Sequence, residues 1–305
     1  MQNRLSNLHP SPYLLLSLSS LFWSGNWVVG RALRDTVPPI ALSFWRWLLA
    51  TLILLPFAYP HLKSGWPAIR RSWKLLVLLG VCGTSVFNAF GYVGVHYTTA
   101  TNGVLLQSFA PVMIVALSRI WFHERLQTQQ VIGLLLSLAG VACIMARGDP
   151  ALFAGLRFNI GDALVLGSLF GWALYTIALR HRPAGLHALA LLSVLAFVGV
   201  AALAPVYAWE LVAGAHIQLS AGAIAGLGYV ALFPSVLAYV FWNRGVREVG
   251  ANKAGLFLHL MPVFGSLLSI VFLGERLYLY HLIGMLLIFA GIYLTSSVRS
   301  AAQTP

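Results

Sequence analysis

The sequence predicts an all-α polytopic membrane protein of ten transmembrane helices, arranged as two five-helix repeats of opposite orientation. Three observations predict it. Of 305 residues, 59% are hydrophobic and 9% charged, with mean hydropathy +0.84; a typical soluble domain carries about 25% charged residues. The apolar residues fall into ten segments, each near the ~20 residues that a bilayer-spanning helix needs. The chain also matches itself at one fixed offset. The composition excludes a disordered chain, a coiled coil, collagen and a disulfide-rich scaffold. Ten spans leave no room for a sizeable soluble domain.

The elements follow in order. A first span, Tyr13–Leu33, comes after the short polar stretch Met1–Pro12. No small-residue cleavage site follows it, so it reads as a retained helix and not a signal peptide. The second, Pro38–Ala58, lies between Val37-Pro38-Pro39 and the break expected at Tyr59-Pro60. The third, Trp73–Val95, and fourth, Ala100–Trp121, have a short link and form a tight hairpin. The fifth, Thr128–Met145, is closed by Arg147-Gly148-Asp149-Pro150. The sixth, Gly161–Arg180, ends before Arg182-Pro183, and the seventh is Leu186–Trp209. The eighth, Ser220–Trp242, and ninth, Ala251–Leu273, form a second tight hairpin across Glu248–Gly250, and the tenth is Tyr278–Val298.

The charges sort by side. With the N-terminus cytoplasmic, thirteen of the 19 basic residues fall inside: Arg4, Lys63, Arg70, Arg71, Lys74, Arg119, Arg125, Arg180, Arg182, Arg244, Arg247, Lys253 and Arg299. Five fall outside: Arg31, Arg34, Arg147, Arg157 and Arg276. Arg46 lies within a span. This bias supports ten helices with both termini cytoplasmic. It also explains the net charge of +12 without nucleic acid, for which no motif is present. Cys82 and Cys143 both fall in apolar segments and read as small core residues.

The internal match is exact in offset. Ala110-Pro111-Val112 resembles Met261-Pro262-Val263, and His123-Glu124-Arg125-Leu126 resembles Gly274-Glu275-Arg276-Leu277. Ile132-Gly133 matches Ile283-Gly284, and Ala139-Gly140 matches Ala290-Gly291, every pair without a gap. About a third of the positions in Gly94–Arg147 recur in Gly245–Val298. The expected units are residues 1–150 and 151–305. Five helices per unit is an odd number of crossings, so equivalent helices run in opposite directions. By analogy of fold, inverted repeats of this kind belong to secondary transporters with a site near the midplane.

These residues carry a resemblance. The tail of each half, from Pro111-Val112 through Glu124-Arg125-Leu126 and Ile132-Gly133 to Ala139-Gly140, with its counterpart Pro262-Val263 to Ala290-Gly291, resembles the EamA domain. Leu21-Phe22-Trp23-Ser24-Gly25-Asn26-Trp27 resembles its first-helix motif and Phe44-Trp45-Arg46-Trp47-Leu48-Leu49-Ala50 its second. The resemblance covers the whole chain, twice, and points to the drug/metabolite transporter superfamily. It implies ten helices and export of amino acids or other metabolites from bacteria, the nearest functional type being the YddG-type aromatic amino-acid exporter. The chain departs from the pattern at His123, where the second half has Gly274.

The seven carboxylates, Asp35, Glu124, Asp149, Asp162, Glu210, Glu248 and Glu275, all lie at or near span ends. That argues against proton or sodium coupling through a mid-membrane acid, although His259, mid-span, could stand in; the alternative for His259 is a neutral imidazole bonded between helices. Glu124 and Glu275 are repeat counterparts, expected to accept from N–H groups at the start of the next helix, or to gate. Arg46 must meet carbonyls, headgroups, a water-filled cavity or an anion such as a substrate carboxylate. Polar and aromatic stripes at helical spacing face inward: Trp23, Asn26 and Gly30; Thr84, Ser85, Asn88 and Tyr92; Gly103, Gln107 and Pro111; Ser168, Trp172 and Tyr175; Ser235 and Tyr239. They line a cavity or bond helix to helix. Trp242, near a span end, reads as part of an interfacial belt. Pro111 and Pro262, at matching places, are candidate paired hinges. Small residues in the fifth and tenth spans suggest close packing, within a monomer or in a homodimer.

The expected protein is therefore a bacterial inner-membrane exporter of small metabolites, amino acids first, working by alternating access. The expected substrate contacts are Trp23, Asn26, Arg46, Asn88, Tyr92, Gln107, Trp172, Tyr175, Tyr239 and His259. No cofactor, metal or catalytic residue is expected, and the lack of a phosphate loop excludes a primary pump. Competing readings are a drug or nucleoside-type carrier, a non-transporting receptor and an intramembrane enzyme; the last would need a nucleophile and base within the spans.

Overall fold

The computed structural model describes residues 10–98, 106–124, 126–149, 151, 158–273 and 276–297. All regular structure among them is helical. Helix α1 spans Pro12–Leu33, α2 Pro39–Arg71, α3 Trp73–Tyr97, α4 Ala110–Phe122 and α5 Thr128–Met145. Helix α6 spans Ile160–Ala178 and closes in a 3₁₀ turn, Leu179–His181. Helix α7 is Ala188–Val212, and α8 is Ala221–Val249. Helix α9 runs from Ala251 through a 3₁₀ turn, Phe257–His259, to Leu273, and α10 is Leu279–Ser297. Seven of these are long and apolar enough to cross a bilayer unaided. Their outer faces expose Phe57, Phe197, Leu286 and Phe289, as lipid contact requires.

Several local features correct the sequence reading. The second span does not end at Tyr59-Pro60. Helix α2 runs through Pro56, Pro60 and Pro67 to Arg71, because an interior proline deletes one hydrogen bond and bends a helix without having to stop it. At ~1.5 Å per residue, its 33 residues exceed the ~30 Å hydrocarbon slab. The tight α8–α9 hairpin turns on Gly250, whose φ of 85° is open to glycine and strained for other residues. At the end of α4, His123 adopts a left-handed conformation, φ 53°; its counterpart Gly274 lies outside the described residues, as do Gly103, Arg125 and Glu275.

Two segments depart from α-helical register. Val81–Val86 in α3 and Ala231–Leu237 in α8 are π-helical. They are repeat counterparts at the 151-residue offset. In α8, Pro234 has no N–H to give, and the Ser235 hydroxyl takes up the Val230 carbonyl at 2.7 Å. In α3, Thr84 Oγ1 bonds the Gly80 carbonyl at 2.5 Å.

The helices assemble around a pseudo-two-fold axis. Helices α2 and α7, α4 and α9, and α5 and α10 each pack on their own repeat counterpart, while α1 packs on α8 as α6 packs on α3. Counterparts bond across the axis: Ser137 Oγ donates to the Ile288 carbonyl, 151 residues on, at 3.2 Å. Between α5 and α10 the backbones meet directly. A Cβ on Gly140 would lie 2.6 Å from the Gly284 carbonyl, and one on Gly291 2.4 Å from that of Gly133. The small-residue stripes are thus used within one chain. At one membrane face the Glu210 carboxylate of α7 caps α2, accepting from Ile40 N at 3.0 Å and Ala41 N at 2.7 Å. Those N–H groups are orphans at a helix start, where the dipole favours an anion.

Overpacking a tight seam costs about 1–3 kcal/mol. Gly140→Ala and Gly291→Ala are therefore expected to lower the Tm of the purified protein by several degrees. Gly228→Ala, in α8, meets nothing within 4 Å and is expected to leave it unchanged or slightly raised; differential scanning fluorimetry in detergent separates the two cases.

Candidate functional site

Arg46, two turns into α2, is 1% exposed. It reaches no headgroup. Its Nε donates to Ser235 Oγ at 2.8 Å, and its Nη1 to Asn88 Oδ1 at 2.8 Å, Tyr92 OH at 2.8 Å and Asn26 Oδ1 at 3.3 Å. Each partner is itself fixed. Asn88 Nδ2 donates to the Thr84 carbonyl at 2.8 Å, aiming the amide oxygen at the guanidinium. Tyr92 OH donates to Asn26 Oδ1 at 2.9 Å. The rings of Trp47 and Tyr92 lie 5.5 and 6.0 Å from the guanidinium carbon. All these partners are neutral. The ion pairs among the described residues, Arg34–Asp35, Arg180–Glu124 and Arg244–Glu248, sit at helix ends. Removing a lone charge from water costs several kcal/mol, and a hydrogen bond to a charged group returns about 1.5–3 kcal/mol. The cluster offsets that cost with oxygens drawn from α1, α3 and α8.

Arg46 borders a narrow cavity of about 30 Å³ between the two repeats. Asn26, Arg46, Asn88, Tyr92, Gln107 and Ser168 supply the polar wall. Trp23, Phe87, Trp172, Leu258 and Met261 supply the apolar one. Toward the face where α1 begins, the cavity ends on a cluster of buried rings. Trp23 lies edge-on to Trp172, Tyr239 and Trp242 at centroid distances of 5.1, 5.8 and 5.3 Å. Tyr239 stands edge-on to Trp47 at 4.9 Å, and Tyr175 is 5.2 Å from Trp172. Trp23 Nε1 donates to the Pro234 carbonyl at 3.0 Å, Tyr239 OH to that of Gly83 at 2.5 Å, and Tyr175 OH to Asn243 Oδ1 at 2.5 Å. Beyond the rings, at that same face, Glu124 ties three elements: Oε1 accepts from Arg180 Nη1 at 2.6 Å and Oε2 from Asn252 Nδ2 at 3.0 Å.

Seven of the ten expected contacts line the cavity: Trp23, Asn26, Arg46, Asn88, Tyr92, Gln107 and Trp172. The other three do not. Tyr175 and Tyr239 belong to the ring cluster. His259 is 1% exposed and donates from Nε2 to the carbonyl of its own repeat counterpart, Ser108, at 2.9 Å. Trp242 is fully buried in the ring cluster and not in a belt, because α8 continues to Val249 and leaves Trp242 well inside the helix. Glu124 does not cap α5; Gln127 and Gln130 do that with a capping box. Pro111 stands in the first turn of α4 and Pro262 in the first turn of α9's second segment, just after its 3₁₀ turn. Thr84 and Ser85 turn away from the cavity to the carbonyls of Leu195 and Gly199 in α7. The lining residues Leu258 and Met261 carried no polar signal. They are the counterparts of Gln107 and Ala110, so the 151-residue offset alone could have found them.

The fold and the site define a multi-pass membrane transporter built from two inverted repeats. The sequence matches the EamA-like transporter family over residues 10–146 and again over 159–297. The chain belongs to that family, and so to the drug/metabolite transporter superfamily; it is a transporter and not an enzyme. It is 27% identical to the uncharacterized transporter YyaM of Bacillus subtilis (strain 168) over 95% of each chain. It is 26% identical to an uncharacterized transporter of Archaeoglobus fulgidus, over 95% of this chain and 99% of that one. A solved structure described as "Crystal structure of protein" superposes with a TM-score of 0.76 at 20% identity, covering 93% of this chain and 95% of that one; it supports the fold.

The Arg46 cluster makes a stability prediction. Asn88→Ala removes a bond to the guanidinium and is expected to destabilise the protein by about 1.5–3 kcal/mol. A fall in Tm in detergent, larger than that of the outward-facing Phe197→Ala, checks it.

Proposed function

We propose that the protein exports small metabolites, with amino acids bearing apolar or aromatic side chains foremost, by alternating access across the bacterial inner membrane with both termini cytoplasmic. One observation carries this reading: the cavity between the repeats is divided into a polar wall around Arg46 and an aromatic wall around Trp23, Phe87 and Trp172. A solute with a compact polar end and an apolar body matches that division. The aromatic wall also suits a planar drug. A large polyanion such as a nucleotide needs several cations, and Arg46 is the one basic residue among the lining residues described.

The test is counterflow in proteoliposomes loaded with unlabelled phenylalanine, leucine, serine or aspartate against the same labelled solutes outside. Saturable exchange of phenylalanine and leucine, several-fold above empty liposomes and independent of an imposed pH gradient, is expected. Exchange of none of these, by protein that reconstitutes intact, overturns the amino-acid assignment and turns the search to planar drugs. Exchange that requires the gradient overturns the uncoupled mechanism.

A further inference from the structure

We infer that Arg46 is the anchor for a substrate carboxylate, and that the site selects a monocarboxylate with an apolar body whether or not it carries an amino group. This rests on the export reading and narrows it. The four oxygens that hold Arg46 engage Nε and Nη1. Nη2 has no bonded partner among the described residues, and the residue borders the cavity. A guanidinium held in this way has an unused N–H edge toward the ligand space. A carboxylate is the complementary group: its oxygens accept from that edge, and the two charges neutralise each other where water is scarce. The second half of the inference comes from the rest of the lining. None of the lining residues described is acidic, so the site bears one positive charge and nothing to neutralise a ligand ammonium. An ammonium there meets neutral amides and hydroxyls, several already engaged by Arg46, and ring faces, which return little of its hydration. A deaminated acid loses no ion pair and adds no second cation beside Arg46.

The experiment uses the purified protein and four probes of one shape: phenylalanine, 3-phenylpropionate, phenylalaninamide and phenethylamine. Binding is read from quenching of the cavity tryptophans and from thermal shift. The expected order places 3-phenylpropionate at least level with phenylalanine, with the amide and the amine at least 10-fold weaker. Asn26→Asp places a carboxylate beside Nη1, and among the described residues no hydrogen bond runs from the Asn26 side-chain nitrogen. It is therefore expected to keep or raise the Tm while abolishing binding of both acids, and Arg46→Gln abolishes it too. Equal binding of the amide and the acid overturns the inference and leaves export standing. Binding of phenylalanine but not 3-phenylpropionate overturns its second half. Failure of all four probes to bind, with phenylalanine counterflow intact, overturns the inference alone; failure of both binding and counterflow removes the amino-acid reading with it.

A separate observation supports a second proposal. The π-helical segments Val81–Val86 and Ala231–Leu237 are counterparts in the two repeats. Gly83 and Pro234 hold the same position in them. The Gly83 carbonyl accepts from Tyr239 and the Pro234 carbonyl from Trp23, both members of the ring cluster that closes the cavity. We propose that the two segments are the paired joints of alternating access, each clasped to the closed ring cluster through one carbonyl. A π turn leaves carbonyls without their i+4 partner and marks a place where a helix changes register readily. Hydrogen–deuterium exchange by mass spectrometry tests this without a ligand. Peptides over 81–86 and 231–237 are expected to exchange at least 10-fold faster than adjacent turns. Tyr239→Phe should accelerate 81–86 alone, and Trp23→Phe 231–237 alone. Exchange uniform along α3 and α8, or unchanged in both variants, overturns it.

Discussion

A guanidinium placed in a low-dielectric slab constrains everything near it. Arg46 is held without a counter-charge, so its hydrogen bonds must come from several directions at once. Asn26 on α1, Asn88 and Tyr92 on α3 and Ser235 on α8 supply them. Those three helices must then stand at fixed distances from α2. The cavity is what remains where α4, α6 and α9 complete the ring. The same bonds explain why Ser235 lies in a distorted segment. In regular helix its hydroxyl would bond the carbonyl four residues back; in the π segment it reaches Val230, five back, and presents a lone pair to Arg46.

The duplication sets the frame, and one break in its symmetry makes the site. Thr84 and Ser235 are counterparts, and α7 is the counterpart of α2. Thr84 meets the Leu195 carbonyl of α7 at 3.3 Å, where Ser235 meets a guanidinium. Asn88 and Tyr239 are likewise counterparts: one aims an amide at Arg46, the other closes the ring cluster against Gly83. A residue of the charged pocket thus has its counterpart in the apolar ring cluster.

The legibility of this arrangement in the sequence divides along physical lines. Span number and repeat were readable because a bilayer imposes a length and a composition on each element. The end of α5 came out to the residue, since Arg147-Gly148 forces a left-handed turn there. Helix α2 did not, because a proline signal cannot distinguish a stop from a bend. Stripe analysis found the polar wall, since unbonded polar groups cannot face lipid. It could not separate cavity from helix–helix contact: Thr84, Ser85, Tyr175 and Tyr239 spend their hydroxyls on neighbours, and His259 its Nε2. Nor could it see Leu258 or Met261, whose side chains look like any lipid-facing residue until the repeat is applied.

The ring cluster carries unmet polar groups of its own. Trp47, Trp172 and Trp242 are buried with indole N–H groups that have no acceptor among the described residues, and each such group costs about 1–3 kcal/mol. A core selected only for stability would satisfy or remove them. Here the rings hold by edge-to-face packing, worth about 0.5–1.5 kcal/mol per pair, together with the two bonds to Gly83 and Pro234. Packing that excludes water is thus set against unmet N–H groups that hydration would satisfy. In the alternating access proposed above, that opposition is what would let the ring cluster part.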